Sequence, residues 1–343
     1  MKILVIGNEG FIAGHMIPRL REEGHDVVGL DVMANDNSEN GYFAHRGDIL
    51  IEEDVLKAAR GCDMVINLAA KHHDFGILRE EFFLINGQGT KNCLSCLSKL
   101  GIKKFLFCST VAVYGERDEE SHERMTLKPS NDYGESKKAG EDIVRQWADE
   151  DASREILIIR PVVVFGPHNY ANMFRLIDNI YLNRFLMVGK GGNIKAVAYV
   201  ENLVEAMLFM IKKMSSGVET INYSDQPHKI SSEITNVIRQ KLGRKPVRFR
   251  VPLGLAVCLA YPFDILARIV NFNFPITAKR IKKFNAPTVH GSQKVRDLGF
   301  KQKVTTEEGL GRMVQWYLKD GYQNRFRCAA GSVQNDKIGE KQR

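Results

Sequence analysis

Three features predict an α/β chain with a parallel sheet covered by helices on both faces. An apolar run, a glycine turn, an amphipathic segment and a second apolar run follow one another within residues 2–31. Apolar runs then alternate with helical periodicity as far as about residue 165. A tyrosine and a lysine at helical spacing, Tyr133 and Lys137, begin a further amphipathic stretch.

The elements can be justified in order. "KILVIGNEGFIAGHMIPRLREEGHDVVGLD" reads as strand, turn, helix, a Gly stop at 24 and a strand ending in Asp31, a βαβ unit of the right size. Gly7 and Gly10, with Ala13 in the third place, let the backbone turn tightly, approach a pyrophosphate and pack helix against strand, and the helix N-terminus offers free N–H groups to phosphates. Asp31 would accept the adenosine ribose hydroxyls, and "VMAND" after it has no Arg or Lys to welcome a 2′-phosphate, which favours NAD over NADP. Glu9 is the discordant residue, since a carboxylate beside a pyrophosphate repels it unless turned to solvent. "EEDVLKAAR" and "NGQGTKNCLSCLSKLG" are helical, whereas "CDMVINLAA" (62–70), "IKKFLFCST" (102–110) and "SREILIIRPVVVFGP" (153–167) are strands. Strands of this kind form a Rossmann-like, doubly wound parallel sheet that binds ligands at its carboxyl rim, where Thr110 and the start of the Tyr133 helix fall.

Composition is that of an ordinary soluble enzyme: 44% apolar and 26% charged among 343 residues, enough for a large core with a smaller appended lobe. Forty-nine Lys and Arg against forty-one Asp and Glu leave +8, gathered late in "RKPVRFR" and "AKRIKK", which suits an anionic ligand or surface; a solvated basic face is the plainer reading. Six cysteines without paired metal-type spacing read as reduced and mostly core, so no metal site is expected. "MKILVIGN" runs straight into a strand and leaves no room for a signal peptide. A cytoplasmic protein follows.

The spacing of Tyr133 and Lys137 alone leaves a surface helix as the favoured reading. With "GNEGFIAGH", Asp31, "GDI" (47–49), "NLAA" (67–70), "NGQGTKN" (86–92), "CSTVAVYG" (108–115), "RPVVVFGP" and "AYVENLVEA" in this order, the chain resembles the extended short-chain dehydrogenase/reductases, the branch of NAD-dependent sugar epimerases and dehydratases, over residues 1 to about 320. The resemblance implies a pyrophosphate loop at Gly7, Gly10, Phe11 and Ile12, adenine contacts at Asp48 and Ile49, and a cofactor groove lined by Ala69 and Asn86. It implies a catalytic Thr110, Tyr133 and Lys137. A free phenol titrates near 10, and a neighbouring ammonium favours the phenolate that a base must reach. Hydride and proton then leave the sugar C4 position, the keto sugar turns over, and the hydride returns to the opposite face.

"AAKHHDFG" (69–76), "NYANMFRLI" (169–177), "VGKGGNIKAVAYVENLVE" (188–205), "INYSDQP" and "RIKKFNAPT" resemble the 4-epimerases acting on N-acetylglucosamine diphospho-undecaprenol. That resemblance implies a sugar diphosphate substrate, nucleotide- or polyprenyl-linked, no nucleic acid partner, and a homodimer. It places His72, Asp74, Asn169 and Asn172 at the substrate, Lys195 at its diphosphate, and the small Thr288 beside an N-acetyl group; each is equally suited to a turn, an exposed face or a core hydrogen bond. Two other functions share the motifs: a 4-keto-sugar reductase or dehydrogenase, and a non-catalytic NAD-binding module. A dehydratase is disfavoured, because Val111 and Ala112 stand where that branch has acids.

Residues 1–165 are expected to be mainly the dinucleotide-binding domain, 166–322 mainly a substrate lobe with some return to the sheet, and 323–343 a disordered tail. "VPLGLAVCLAYPFDILARIVNFNFP" (251–275) is the most apolar stretch, but two prolines, Asp264 and Arg268 argue against a span. Two readings stay open: a helix packed in the substrate lobe, and one lying on the inner face of a membrane, with "AKRIKK" toward anionic headgroups.

Overall fold

The computed structural model describes residues 1–35, 41–71, 77–117, 119–270, 278, 281 and 285–324, with backbone alone over 263–270. The first expected unit is present: β1 (Lys2–Ile6), α1 (Phe11–Glu22) and β2 (Asp26–Asp31). Gly24 ends α1 with φ +79°, a conformation that costs glycine little. Then follow β3 (Phe43–Arg46), α2 (Glu52–Ala59), β4 (Met64–Asn67), α3 (Arg79–Phe83), a six-residue π-helical turn Leu84–Gly89, α4 (Thr90–Leu100) and β5 (Lys104–Cys108). A 3₁₀ turn, Val111–Tyr114, leads toward the long α5 (Asp132–Asp149) and β6 (Glu155–Pro161).

The chain divides into two compact units, Met1–Val164 with Val200–Asp225 and His290–Lys303, and Phe165–Tyr199 with Gln226–Val289 and the chain from Val304. The first unit holds a seven-stranded sheet in the order β7-β6-β5-β4-β1-β2-β3, where β7 is Gly217–Tyr223. Every pairing in it is parallel. Ile3, Leu4, Val5, Met64, Val65 and Ile66 are buried on both faces, which is why these runs are continuously apolar rather than alternating. Strand order reverses between β1 and β4, and the loops after these strands therefore splay apart into a crevice at the carboxyl ends.

Two strands are not legible in the sequence: β3 and β7 are edges, one short and polar and one beginning with glycine. The single strand expected over 153–167 divides at Val162 into β6 and Val163–Phe165, next to Pro161, which has no N–H to continue a ladder. "NGQGTKN" is helical as expected, but its first turn is wound as a π-helix. Cys93 and Cys96 pack in the core.

The second unit contains α6 (Asn172–Tyr181), α8 (Ser231–Lys241), α9 (Leu253–Val270) and α11 (Thr306–Trp316), whereas α7 (Val200–Ile211) and α10 (Gln293–Asp297) belong to the first. Within the first unit α7 lies beside α1, tied by Arg19 Nε donating to Glu205 at 2.7 Å. Within the second, Trp316 and Tyr317 gather Tyr170, Phe174 and Tyr181 into an aromatic cluster. A capping box of Thr305 and Glu308 starts α11.

Helix α5 lies unusually close to the sheet. A Cβ on Gly140 would fall 2.7 Å from the Phe107 ring and 2.8 Å from the Asn86 carbonyl oxygen, so no side chain fits without moving backbone. Gly140→Ala is expected to cost about 1–3 kcal/mol, read from urea unfolding midpoints. Gly14→Ala, in α1 with nothing within 4 Å of its would-be Cβ, should instead stabilise by about 0.5–1 kcal/mol. Equal effects at both positions would show that the close approach of α5 does not matter.

Candidate active site

The glycine turn sits at the reversal point of the sheet. Gly7 has φ +83°, its N–H donates to Leu30 O at 2.8 Å, and a Cβ there would lie 2.8 Å from Ala69 N. Gly7 and Ala69, distant in sequence, thus face each other across the crevice. Gly10 caps α1 without a side-chain acceptor, and no acid occupies the first turn, so the N–H groups beginning at Phe11 and Ile12 face outward with the positive end of the helix.

Asp31 closes β2, and its two oxygens accept from Met33 N at 2.9 Å and Glu9 N at 3.3 Å. A carboxylate with two bonds keeps lone pairs for ribose hydroxyls. Glu9 does not simply turn away: its Oε1 accepts from Asn8 Nδ2 at 2.7 Å. Burial and the nearby Asp31 carboxylate raise the Glu9 pKa, while the Asn8 amide opposes them. Asp48 is held by its own turn, with N–H to Asp54 at 2.8 Å and Oδ1 accepting from Leu50 N at 2.9 Å. Ile49 belongs to the core and fills the space beside Gly89.

Asn86, on the π-helical turn, is buried and joins three segments. Its amide exchanges two bonds of 3.1 Å with the backbone of Lys71 and donates to Ser136 Oγ at 2.9 Å, and Ser136 donates to Tyr133 O at 2.8 Å. The cofactor-side loop after β4 is thereby tied to the helix that carries the tyrosine.

Tyr133 is the second residue of α5, whose Asn131 cap accepts from Gly134 N at 2.8 Å and whose first turn carries Asp132 and Glu135. Thr110 lies just past β5, nearly buried, with Oγ1 accepting from Ala112 N at 3.2 Å. Gly134 permits the meeting of these segments, because a Cβ on it would stand 2.5 Å from Ala112 O. Tyr133 is half-buried, with Phe82 at a ring separation of 6.2 Å.

Lys137 is 1% exposed, and its Nζ has no hydrogen bond among the described residues. It sits 4.1 Å above the centre of the Phe107 ring. Burial pushes its pKa down to about 8, with the Cys108 sulfur and the Glu141 carboxylate pulling the other way. A buried ammonium with unused donors, on a helix tied through Ser136 and Asn86 to the loop after β4, is what a ribose-bearing cofactor would satisfy, so this chain fits NAD.

One turn beyond Lys137, Glu141 takes a fork from Arg160 of β6, Nε to Oε1 at 2.8 Å and Nη2 to Oε2 at 2.5 Å. Glu141 is 0% and Arg160 1% exposed. Burial works against the Arg160 charge, but Glu141 more than offsets it and its pKa is raised. Ser109, next to Thr110, donates to Glu141 at 2.6 Å, and Arg160 donates to Tyr114 at 2.7 Å, whose hydroxyl donates to Asn222 at 2.8 Å. The same ion pair therefore fixes the Thr110 turn, α5 and two strands. Sequence reading overlooked Gly134, Ser136, Gly140, Glu141 and Arg160, although small residues at 134, 136 and 140 and a lone Arg inside "ILIIRPVVV" were visible signals.

Of the expected substrate residues, His72 and Asp74 lie outside the described residues. The other four are in the second unit. Lys195 and Thr288 are bridge partners, and Lys195 Nζ donates to Ala286 O at 2.7 Å. Asn169 Oδ1 accepts from Ala171 N at 2.7 Å, just before α6, which Asn172 begins.

Two measurements test this geometry. Between pH 8 and 10.5 the unfolded chain holds a proton on Lys137 that the folded chain has lost, so stability rises with pH across that window. Below it, folding carries a penalty of about 3 kcal/mol, part of which the Phe107 face returns. Lys137→Met is therefore expected to stabilise the cofactor-free protein at pH 7 by about 1–3 kcal/mol, with the gain vanishing above pH 10.5, in melts across pH. Loss of stability at pH 7 would refute a strained ammonium. For the second, Glu141→Gln and Arg160→Met should each cost about 3–5 kcal/mol by leaving a buried charge, whereas Glu141→Leu with Arg160→Met should recover much of that. Additive losses in the double variant would exclude this account.

Residues 3–224 match the NAD dependent epimerase/dehydratase family. The N-acetyl-alpha-D-glucosaminyl-diphospho-ditrans,octacis-undecaprenol 4-epimerase of Escherichia coli O157:H7 is 33% identical over 318 residues, covering 92% of this chain and 94% of that one. The dTDP-D-glucose 4,6-dehydratase of Mus musculus is 28% identical, covering 92% and 89%. Among solved structures, the UDP-glucuronic acid 4-epimerase of Bacillus cereus in complex with NAD superposes with a TM-score of 0.75 at 21% identity, over 93% of this chain and 99% of that one. A glycine crevice at the strand-order reversal, a Thr-Tyr-Lys rim and these matches carry one conclusion: the chain belongs to the NAD-dependent epimerase/dehydratase family, enzymes of the extended short-chain dehydrogenase/reductase type.

Proposed function

We propose that this NAD-dependent enzyme is a 4-epimerase of an N-acetylhexosamine diphosphate, with N-acetylglucosamine diphospho-undecaprenol as substrate ahead of UDP-N-acetylglucosamine, acting in surface polysaccharide synthesis. The carrying observation is the rim on which Gly134 sets Tyr133 against the Thr110 turn, with the Lys137 ammonium buried one helical turn away. The relative named for the lipid-linked substrate is aligned over nearly the whole of both chains, which supports the choice of substrate.

The chemistry that bound NAD would supply is reversible hydride acceptance at the sugar C4. Gly7, Gly10, Phe11 and Ile12 would hold its pyrophosphate, Asp31 its adenosine ribose, and Asp48 and Ile49 its adenine, with Ala69 and Asn86 lining the groove. Thr110 Oγ1 orients the reacting hydroxyl, and Tyr133 Oη removes its proton as the 4-keto sugar forms. Lys137 holds the nicotinamide-side ribose by the donors that are otherwise unused and, while protonated, favours phenolate at Tyr133. The proton goes back from Tyr133 after the sugar has presented its other face. Lys195 is assigned to the diphosphate and Thr288 to the space for an N-acetyl group; Asn169, Asn172, His72 and Asp74 are the remaining pocket candidates. A polyprenyl substrate would bring the protein to the inner face of the cell membrane.

The test offers UDP-N-acetylglucosamine and N-acetylglucosamine diphospho-undecaprenol in parallel to the purified protein without added cofactor. Conversion of the lipid-linked sugar to its galacto epimer without net NADH is expected, with Tyr133→Phe slower by about 10²–10⁴. Turnover of the UDP-sugar alone would exclude the lipid-linked choice, and turnover only of a 4-keto sugar with stoichiometric NADH would make the enzyme a reductase. Thr288→Tyr should shift preference from N-acetylglucosamine toward glucose substrates, and unchanged preference would remove Thr288 from the pocket.

A further inference from the structure

The first half of α9 is built inside out. Its two buried side chains among those described, Ala256 and Ala260, are small and one helical turn apart, while Leu255, Leu259 and Tyr261 are 53%, 65% and 61% exposed. At 100° per residue, Leu255, Cys258, Tyr261 and Pro262 spread around the side opposite the alanines and Leu259 flanks it, so the exposed surface of the helix is apolar. Phe249, four residues before the helix, is 71% exposed. A soluble helix buries its leucines and shows its polar face, and contiguous exposed apolar surface of this kind marks a docking site.

Charge identifies what docks. Residues 241–289 carry ten Lys and Arg against Asp264 alone, whereas the remainder of the chain has thirty-nine against forty acids. The whole positive excess of the protein therefore lies in the segment that contains this helix. Lys245, Arg248 and Arg250 are exposed beside its start and have no ion-pair partner among the described residues; Arg250 Nη1 donates only to Lys190 O, at 2.8 Å. No acid occurs from 241 to 262, so a two-fold contact with a second copy would bring like charges together. No helix among the described residues is long and apolar enough to cross a membrane.

We propose that residues 245–262 are the face by which the protein lies on an anionic phospholipid surface, with Phe249, Leu255, Leu259 and Tyr261 entering the headgroup–acyl boundary and Lys245, Arg248 and Arg250 meeting lipid phosphates. This deepens the lipid-linked reading by naming the surface on which such a substrate would be met, although exposure and charge support it without any substrate.

The test is co-sedimentation of the full chain with vesicles of phosphatidylcholine containing about one third phosphatidylglycerol, against phosphatidylcholine alone. Binding to the anionic vesicles is expected, weakened by about 0.5 M salt. Leu255→Asp with Leu259→Asp should reduce it by about tenfold or more, as should Arg248→Glu with Arg250→Glu. Melting temperature and NAD affinity establish that these surface variants are folded. Absence of binding, or binding that neither pair of changes weakens, overturns the proposal; so does an oligomer that the leucine changes dissociate without any vesicle binding, which would give the face to a second copy. These vesicles contain no sugar lipid, so docking with turnover of only the UDP-sugar would sink the substrate assignment and leave the membrane face standing.

Discussion

Everything at the candidate site depends on how closely α5 can approach β5 and the turns that hold Asn86 and Ala112. The helix presents glycine at 134 and 140, where a Cβ would meet the Ala112 and Asn86 carbonyl oxygens. Main-chain oxygens cannot retreat as a flexible side chain can, so the two glycines set the distance. Once the helix is seated, Lys137 is almost wholly buried and Tyr133 stands at the rim beside the Thr110 turn. The depressed lysine pKa is thus a consequence of packing, with burial its first cause.

Seating a helix this tightly leaves a buried carboxylate, Glu141, on its inner face, and the fold answers with Arg160 from the middle of an otherwise apolar strand. Such a pair contributes little net stability against an apolar alternative, because both charges lose their water. What it supplies is direction. Its forked geometry, with Ser109 and Tyr114 attached, admits one register of helix on strand, and Ser109 neighbours Thr110. The two halves of the Thr-Tyr-Lys arrangement are carried by different elements, and this ion pair is where those elements are joined.

The basic, apolar segment obeys a different logic. Around the glycine crevice, the carboxylates are held by local hydrogen bonds: Asp31 takes two backbone N–H groups and Glu9 an amide. In the second unit the cations of 245–250 stand without ion pairs among the described residues, next to leucines that point outward. One region is organised to hold a small anionic ligand in fixed geometry, and the other offers a diffuse field with apolar surface, which suits an extended partner.

Periodicity and turn chemistry in the sequence alone determined the βαβ start, the parallel sheet and the glycine loop, because those depend on neighbours within a few residues: the apolar run of β1, the stop at Gly24, the acid closing β2. The positions of Thr110, Tyr133 and Lys137 were legible as a motif, but their meeting was not. That required two glycines whose necessity appears only when carbonyl oxygens from elsewhere in the chain lie against them, and an Arg160 whose partner is nineteen residues away. The edge strands β3 and β7 were missed for the same reason, being made strands by the partner they pair with. The apolar stretch from 251 was conspicuous in sequence, yet sequence left open whether it fills a core or coats a surface. Over 253–262 only tertiary structure decided which side faces inward, by placing Ala256 and Ala260 there, since the inside of a helix is whichever face its neighbours have room to cover.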